Sequence, residues 1–442
     1  MRHVSITKIC QVLGIIPERD LLIDGFQIDS RKVGPGDLFF ALKGQKVDGH
    51  SFLQDAAMNG AVAAVVSKGY DGPNFGLELL WVEDVFGSLQ ALAKHFMKTC
   101  RSLVIGITGS LGKTTTKEFL ATLLGAKFKV GKTDLNYNSQ RTYPLTLLNR
   151  NGDEDILVVE MGISEPGEMT RLCDIAAPDI AVITKVAFVH SVNFEENVSL
   201  IAQHKAEISK DSKTKACIFD HALYEHEEAM GKIQCKRVSF SLESRQADFF
   251  LSQECLVDER GVRAYQFDPP YKESHFLHDF LAAVAVCREI KMNWDEINAQ
   301  VSKLQLPKMR FEKIDKGGVT LINDAYNANP DSMKAALAHL PKPADGAKTI
   351  AVLGMMAEMG AAHERVHREV GLFAQKYVDH LIVFGKEAAA LYKAFQEVKK
   401  PVEKYEDFEA LSKRLKNLMR PGDVVLVKAS RCVEMEKLLN LL

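Results

Sequence analysis

Several short stretches of this chain are continuously apolar rather than alternating: Leu103-Val104-Ile105-Gly106-Ile107-Thr108, Ile156-Leu157-Val158-Val159 and Ile180-Ala181-Val182-Ile183. Continuous runs mark strands buried on both faces, as in parallel sheets. Stretches with helical spacing separate them, which predicts an α/β unit. From about residue 312 the rhythm repeats, with strands predicted at Val319–Ile322, Thr349–Leu353, His380–Phe384 and Val424–Val427. That predicts a second doubly wound unit. Up to about residue 84 the texture is different. Asp37–Leu42 reads as a strand entered through the Gly34-Pro35-Gly36 turn, and Ala61–Val66 as a buried strand. Ser88–Met97 has helical spacing and bridges to the next unit. The predicted organisation is three α/β domains, at residues 1–84, 85–311 and 312–442.

A length of 442 residues suits three domains. Lys and Arg number 56 against 58 Asp and Glu, a net charge of -2. A near-neutral chain has no global field for nucleic acid, so an anionic ligand needs a local site. The 8 cysteines form no CxxC pair and read as buried hydrophobes of a reducing compartment. The N-terminal residues lack the apolar centre of a signal peptide, and no apolar run is long enough to span a membrane. The expectation is a cytoplasmic protein.

The first apolar run leads into Gly109-Ser110-Leu111-Gly112-Lys113-Thr114-Thr115-Thr116, followed by a helix-competent stretch. Strand, loop and helix in that order are the context of a phosphate-binding loop. Glycines let backbone amides close on phosphate oxygens, and the helix N-terminus adds positive potential. Lys113 would reach the terminal phosphates, and a Thr114 or Thr115 hydroxyl could ligate Mg²⁺. Ile107 occupies the place of the first Walker glycine, and Gly109 comes early instead. Glu160 ends the next apolar run, at the strand edge where α/β sites lie. His190 follows the run after that, and Lys205 lies in a helical stretch beyond.

With these motifs the sequence resembles the Mur ligases, ATP-dependent amide-forming enzymes of peptidoglycan synthesis. The resemblance covers nearly the whole chain. Asp29-Ser30-Arg31, Pro35 to Ala41, Gly44 and Asp48-Gly49-His50 resemble the module that holds a UDP-sugar. Gly109 to Thr115 is similar to the family's phosphate loop, early glycine included. Asn136-Tyr137-Asn138, Pro144-Leu145-Thr146 and Val159-Glu160-Met161-Gly162 match further segments. Asp324-Ala325-Tyr326-Asn327-Ala328-Asn329-Pro330-Asp331-Ser332-Met333 resembles the branch that adds D-alanyl-D-alanine. Three places depart from the family pattern: Met355 replaces an Asp, Asp279 an Asn, and Val189-His190-Ser191-Val192 an AHLE segment.

The resemblance implies three domains: a UDP-sugar-binding module, a central P-loop ATPase with a mainly parallel sheet, and a C-terminal Rossmann-like module. It implies ATP and Mg²⁺, and a monomer acting on UDP-MurNAc-tripeptide and D-alanyl-D-alanine through an acyl phosphate. Implied catalytic residues are Lys113, Glu160, His190 and Lys205. Thr114, Glu160, His190 and a carbamylated Lys205 would surround metal. Gly109, Ser110, Leu111, Gly112, Lys113, Thr114, Thr115, Asn138, Arg310, Asp324 and Asn327 would hold nucleotide. Ser30, Arg31, Gly44, Asp48 and His50 would hold the UDP-sugar. The alternatives are a diamino-acid-adding relative, a folylpolyglutamate synthase-like ligase, and a nucleotide-binding regulator without catalysis. His363-Glu364-Arg365-Val366-His367 also spells the zinc signature HExxH. The phosphate loop and sheet architecture argue against that use.

Overall fold

The computed structural model describes residues 3–442 except 45–46, 135–136, 189–190 and 195–196, with backbone alone at 191–192. Among those residues, three main sheets follow one another along the chain. The first is parallel, ordered Gly25–Gln27, Asp37–Phe40, Ala63–Ser67, Glu78–Val82. Asp37–Phe40 is shorter than predicted because the Leu42 amide turns back onto the Phe40 carbonyl. Helix Val85–Met97, whose Phe86 amide is capped by the Asp84 side chain, leads into the second sheet.

That sheet has nine strands. Parallel strands run in the order Val130–Lys132, Ile156–Glu160, Leu103–Thr108, Ile180–Ile183, Ala216–Asp220, Lys236–Ser241 and Phe249–Leu251. Leu256–Glu259 and Val262–Gln266 add an antiparallel edge. From Leu103–Thr108 the chain winds first to one side and then to the other. The loop after this strand therefore opens at the topological switch point, where α/β sheets bind ligands. The third sheet is ordered Glu312–Lys316, Val319–Asn323, Val424–Lys428, Thr349–Leu353, His380–Phe384, Val402–Tyr405, all parallel except the first.

Side chains alternate across the central sheet and enter two different cores. Ile105, Ile107, Val158 and Val182 join a cluster that continues through Phe276 and Phe311 to Met333, Ile322 and Ala351 of the last sheet's layer. Val104, Val159, Ala181 and Ile183 join a cluster with Ile6, Phe26, Leu38 and Leu92. Burial on both faces is why these strands read as unbroken apolar runs.

Candidate functional site

Strand Leu103–Thr108 delivers the chain to Gly109 (φ +147°) and Gly112 (φ +84°), and helix Lys113–Leu124 starts there. A Cβ on Gly109 would lie 1.9 Å from Thr184 Oγ1, and one on Gly112 would lie 2.1 Å from Asp279 Oδ1. Both positions demand glycine on conformation and on space. The loop is fastened to the exit of strand Ile180–Ile183. The Ser110 and Leu111 amides both donate to the Lys185 carbonyl, at 2.8 and 3.2 Å. Ser110 Oγ donates to Ala187 O, and the Thr184 hydroxyl lies 2.5 Å from Leu111 O. With these two amides spent, the helix N-terminus is where the loop's remaining amides would favour an anion.

Lys113 folds back over the loop, its Nζ donating to Gly109 O at 2.7 Å. Buried Lys205 reaches the same oxygen from helix Val198–Ala206 at 3.1 Å. Burial lowers the Lys113 amine, partly offset by Glu160. Burial and then the Lys113 charge hold the Lys205 amine well below the ordinary lysine range. Glu160 is fully buried at the end of its strand. Asn138 Nδ2 donates to its Oε2 at 3.2 Å, while its Oε1 is buried without a hydrogen-bond partner. Thr114 sits in the first turn of the helix. His190 lies outside the described residues.

A cavity of about 400 Å³ opens beside the loop, between the central and last sheets. Leu111, Gly112 and Thr115 line one wall, His278, Asp279 and Asp220 another, and Arg310, Asp324 and Lys428 close it from the far side. Arg310 stacks on the Tyr326 ring at 4.2 Å. Asp324 is not a free carboxylate: Lys428 Nζ lies 2.6 Å from its Oδ2, and the Phe311 amide donates to its Oδ1. Asn327 is tied into its own loop. Its side-chain oxygen accepts its own loop's Ala328 amide, and its carbonyl, at 2.9 Å, anchors Lys428. It thereby helps to fix the Lys428 ammonium beside the cavity.

His278 and Lys428 line the cavity beyond the expected site residues. His278 Nε2 meets Asp220 Oδ2 at 2.9 Å, and Asp279 stands 3.7 Å from Nδ1. Burial alone would lower this imidazole, but the two carboxylates outweigh it and push it up to about 9. His275, the other histidine of the segment, is pushed down to about 3 by burial and by His339. The available signal was the Glu273–Asp279 segment itself, where Asp279 departs from the family's Asn. Its neighbour His278 balances that charge.

In the first unit Ser30 is buried and opens a turn, and Arg31 is exposed and paired with Asp29. That turn faces the central unit, where Lys32 Nζ donates to Tyr137 OH at 2.7 Å. Gly44 also lies near the central unit: a Cβ there would stand 3.7 Å from Arg141 Nη1. Asp48 and His50 are joined to one another. Asp48 Oδ1 takes His50 Nδ1–H at 2.6 Å, and His50 Nε2 accepts the Ser67 amide at 3.0 Å. His50 thereby ties the loop to strand Ala63–Ser67.

The HExxH residues lie on helix His363–Ala374. His367 is buried, its Nε2 accepting the Met356 amide at 2.9 Å and its Nδ1 donating to His363 O at 2.7 Å. Neither ring nitrogen of His367 is left for a metal.

Three family models match the chain: "Mur ligase family, catalytic domain" at residues 22–96, "Mur ligase middle domain" at 107–286, and "Mur ligase, glutamate ligase domain" at 309–431. A UDP-N-acetylmuramoyl-tripeptide–D-alanyl-D-alanine ligase of Bacillus subtilis is 32% identical over 95% of this chain and 93% of its own. One of Treponema pallidum is 33% identical over 95% and 94%. Among solved structures, a MurF ligase from Thermotoga maritima in complex with ADP superposes with a TM-score of 0.75 at 30% identity. It covers 94% of this chain and 96% of that one. MurF from Acinetobacter baumannii gives 0.83 at 25% identity, over 100% and 99%.

Proposed function

The chain belongs to the Mur ligase family, and from that membership we propose that it joins D-alanyl-D-alanine to UDP-MurNAc-tripeptide at the expense of ATP. The products are the UDP-MurNAc-pentapeptide, ADP and phosphate. The observation that carries this reading is the convergence on one cavity of the Lys113 loop and, from the last sheet's side, Arg310, Asp324 and Lys428. The Asp324–Met333 segment and the names of the curated relatives support D-alanyl-D-alanine as the acceptor amine. The same reading makes the protein a cytoplasmic monomer with domains at 1–84, 85–311 and 312–442. Among the described residues no helix is long and apolar enough to cross a membrane.

A carboxylate resists attack by an amine, so it is first converted to an acyl phosphate. The amine then adds, and phosphate leaves. Positioning and charge stabilisation do most of this work. Lys113 is suited to the β- and γ-phosphates once it leaves the Gly109 carbonyl, and the Gly112–Thr115 amides to phosphate oxygens. Ser110 and Leu111 shape the loop. Mg²⁺, when bound, supplies charge that offsets the phosphate oxygens. The residues fit it: Glu160 presents a buried oxygen without a hydrogen-bond partner, and the Thr114 hydroxyl stands on the adjoining turn. Asn138 orients Glu160. Lys205 is a neutral-leaning amine, the form that takes up CO₂ with loss of a proton, and its carbamate would face the same metal. His190 is assigned to a second Mg²⁺.

Ser30, Arg31, Gly44, Asp48 and His50 are assigned to the UDP-sugar, and the turns that carry Arg31 and Gly44 face the central unit. The deciding experiment is phosphate release with ATP, UDP-MurNAc-tripeptide and D-alanyl-D-alanine, each omitted in turn. Full release without D-alanyl-D-alanine would remove the assignment.

A further inference from the structure

Helix Lys113–Leu124 carries a lysine where its apolar stripe should run. Lys117 shares a face with Leu120 and Leu124, at i+3 and i+7, and like them it is fully buried. A buried ammonium must be paired, and its partners are specific. Lys117 Nζ donates to Thr133 O at 2.7 Å and lies 3.1 Å from Glu118 Oε1. It stands 3.5 Å from Glu160 Oε1, beyond a good hydrogen bond. Glu118 is in turn ion-paired with Lys132, which is partly exposed. Charges thus alternate from the surface inward: Lys132, Glu118, Lys117, Glu160. Thr133 and Glu118 are among the groups that hold Lys117 back from the last carboxylate. Glu160 receives a compensating charge at short range while the lone pairs of Oε1 stay uncommitted.

We propose that Lys117 is a positioning residue for the metal-binding carboxylate, restrained by Glu118 and Thr133 so that it balances Glu160 without occupying the oxygen a divalent cation needs. This inference rests on the assignment of Glu160 to Mg²⁺. Without Glu118, Lys117 has one anchor fewer and closes on Glu160, where it competes with the metal. The helper is therefore also a potential inhibitor, and Glu118 sets which of the two it is.

The test is calorimetric titration of ADP into the full chain at a series of Mg²⁺ concentrations, which reads metal dependence without turnover. Glu118→Gln keeps shape and removes the restraining charge. The Mg²⁺ concentration for half-maximal enhancement of ADP binding is expected to rise at least threefold, with metal-free ADP affinity unchanged. In a Lys117→Met background, Glu118→Gln should then have no such effect, because the competitor is gone. Should Lys117→Met not fold, Lys117→Gln takes its place. An unchanged Mg²⁺ requirement in Glu118→Gln, or a shift that persists without Lys117, overturns the proposal. Glu160→Gln separates the two levels. If it too leaves the Mg²⁺ dependence untouched, the metal assignment falls and Lys117 falls with it. If it alone shifts the dependence, only the role of Lys117 is lost.

Discussion

Lys113 and Lys205 donate to one and the same oxygen, the carbonyl of Gly109, at 2.7 and 3.1 Å. Both amines are stripped of water, and the charge of Lys113 further disfavours the charged form of Lys205. An anion at the helix N-terminus would draw Lys113 off that carbonyl and relieve the crowding.

Lys113→Ala should remove the charge on the transferring group while relieving Lys205. Turnover is expected to fall roughly a hundred- to a thousandfold, with the melting temperature held or slightly raised. Phosphate release at saturating ATP, alongside a thermal melt, checks both. Turnover within about threefold of the parent would end the assignment of this loop to phosphates.

Lys205→Ala tests the carbamate. Loss of activity should be partly reversed by added formate or acetate, whose carboxylate can occupy the vacated space. The check is phosphate release against carboxylate concentration, together with carbon-13 NMR of the parent under labelled bicarbonate. Full activity in Lys205→Ala, with no labelled carbamate on the parent, would reject the modification.

His278 makes a pH-dependent contribution to stability. Its folded value of about 9 lies above the unfolded value of roughly 6.5. The stabilisation is fully present below 6.5 and is lost as pH rises through 9. The gap in melting temperature between parent and His278→Gln should be widest near pH 6 and close towards pH 9. A gap that does not change with pH would show that His278 is not held charged by Asp220 and Asp279.

His367 is expected to behave in the opposite sense. Burial pushes it down to about 4, so the stability it contributes is present above 6.5 and lost as pH falls through 4. His367→Gln should melt earlier at neutral pH but lose less on acidification. Metal analysis of the purified protein should find no stoichiometric zinc; one zinc per chain would reopen the HExxH reading.

What could be read in the sequence was what depends on neighbours along the chain. The phosphate loop is a contiguous string, and the central strands are unbroken apolar runs because both faces are covered. The antiparallel edge went unseen: Val262–Gln266 is half exposed and lacks a clear apolar pattern. At the site, spacing shows residue types but not the hydrogen bonds they make with one another, as Asp48 does with His50. The Lys428–Asp324 and His278–Asp220 pairs join residues far apart in sequence, so only packing reveals them. Lys117 was visible in principle, as a charge on an apolar stripe.

The two cores that meet at the central sheet bear on how such a chain could have been assembled. The last sheet's layer shares one of them through Phe276 and Phe311, and the first sheet's layer shares the other through Leu38 and Leu92. Segments that recombine cleanly as genes would here arrive with half a core each. A chimera that exchanged one segment with a relative would have to carry across the facing residues of the central strands as well. The sheet is a common wall, and inheritance of either neighbour is tied to inheritance of the side of the wall it leans on.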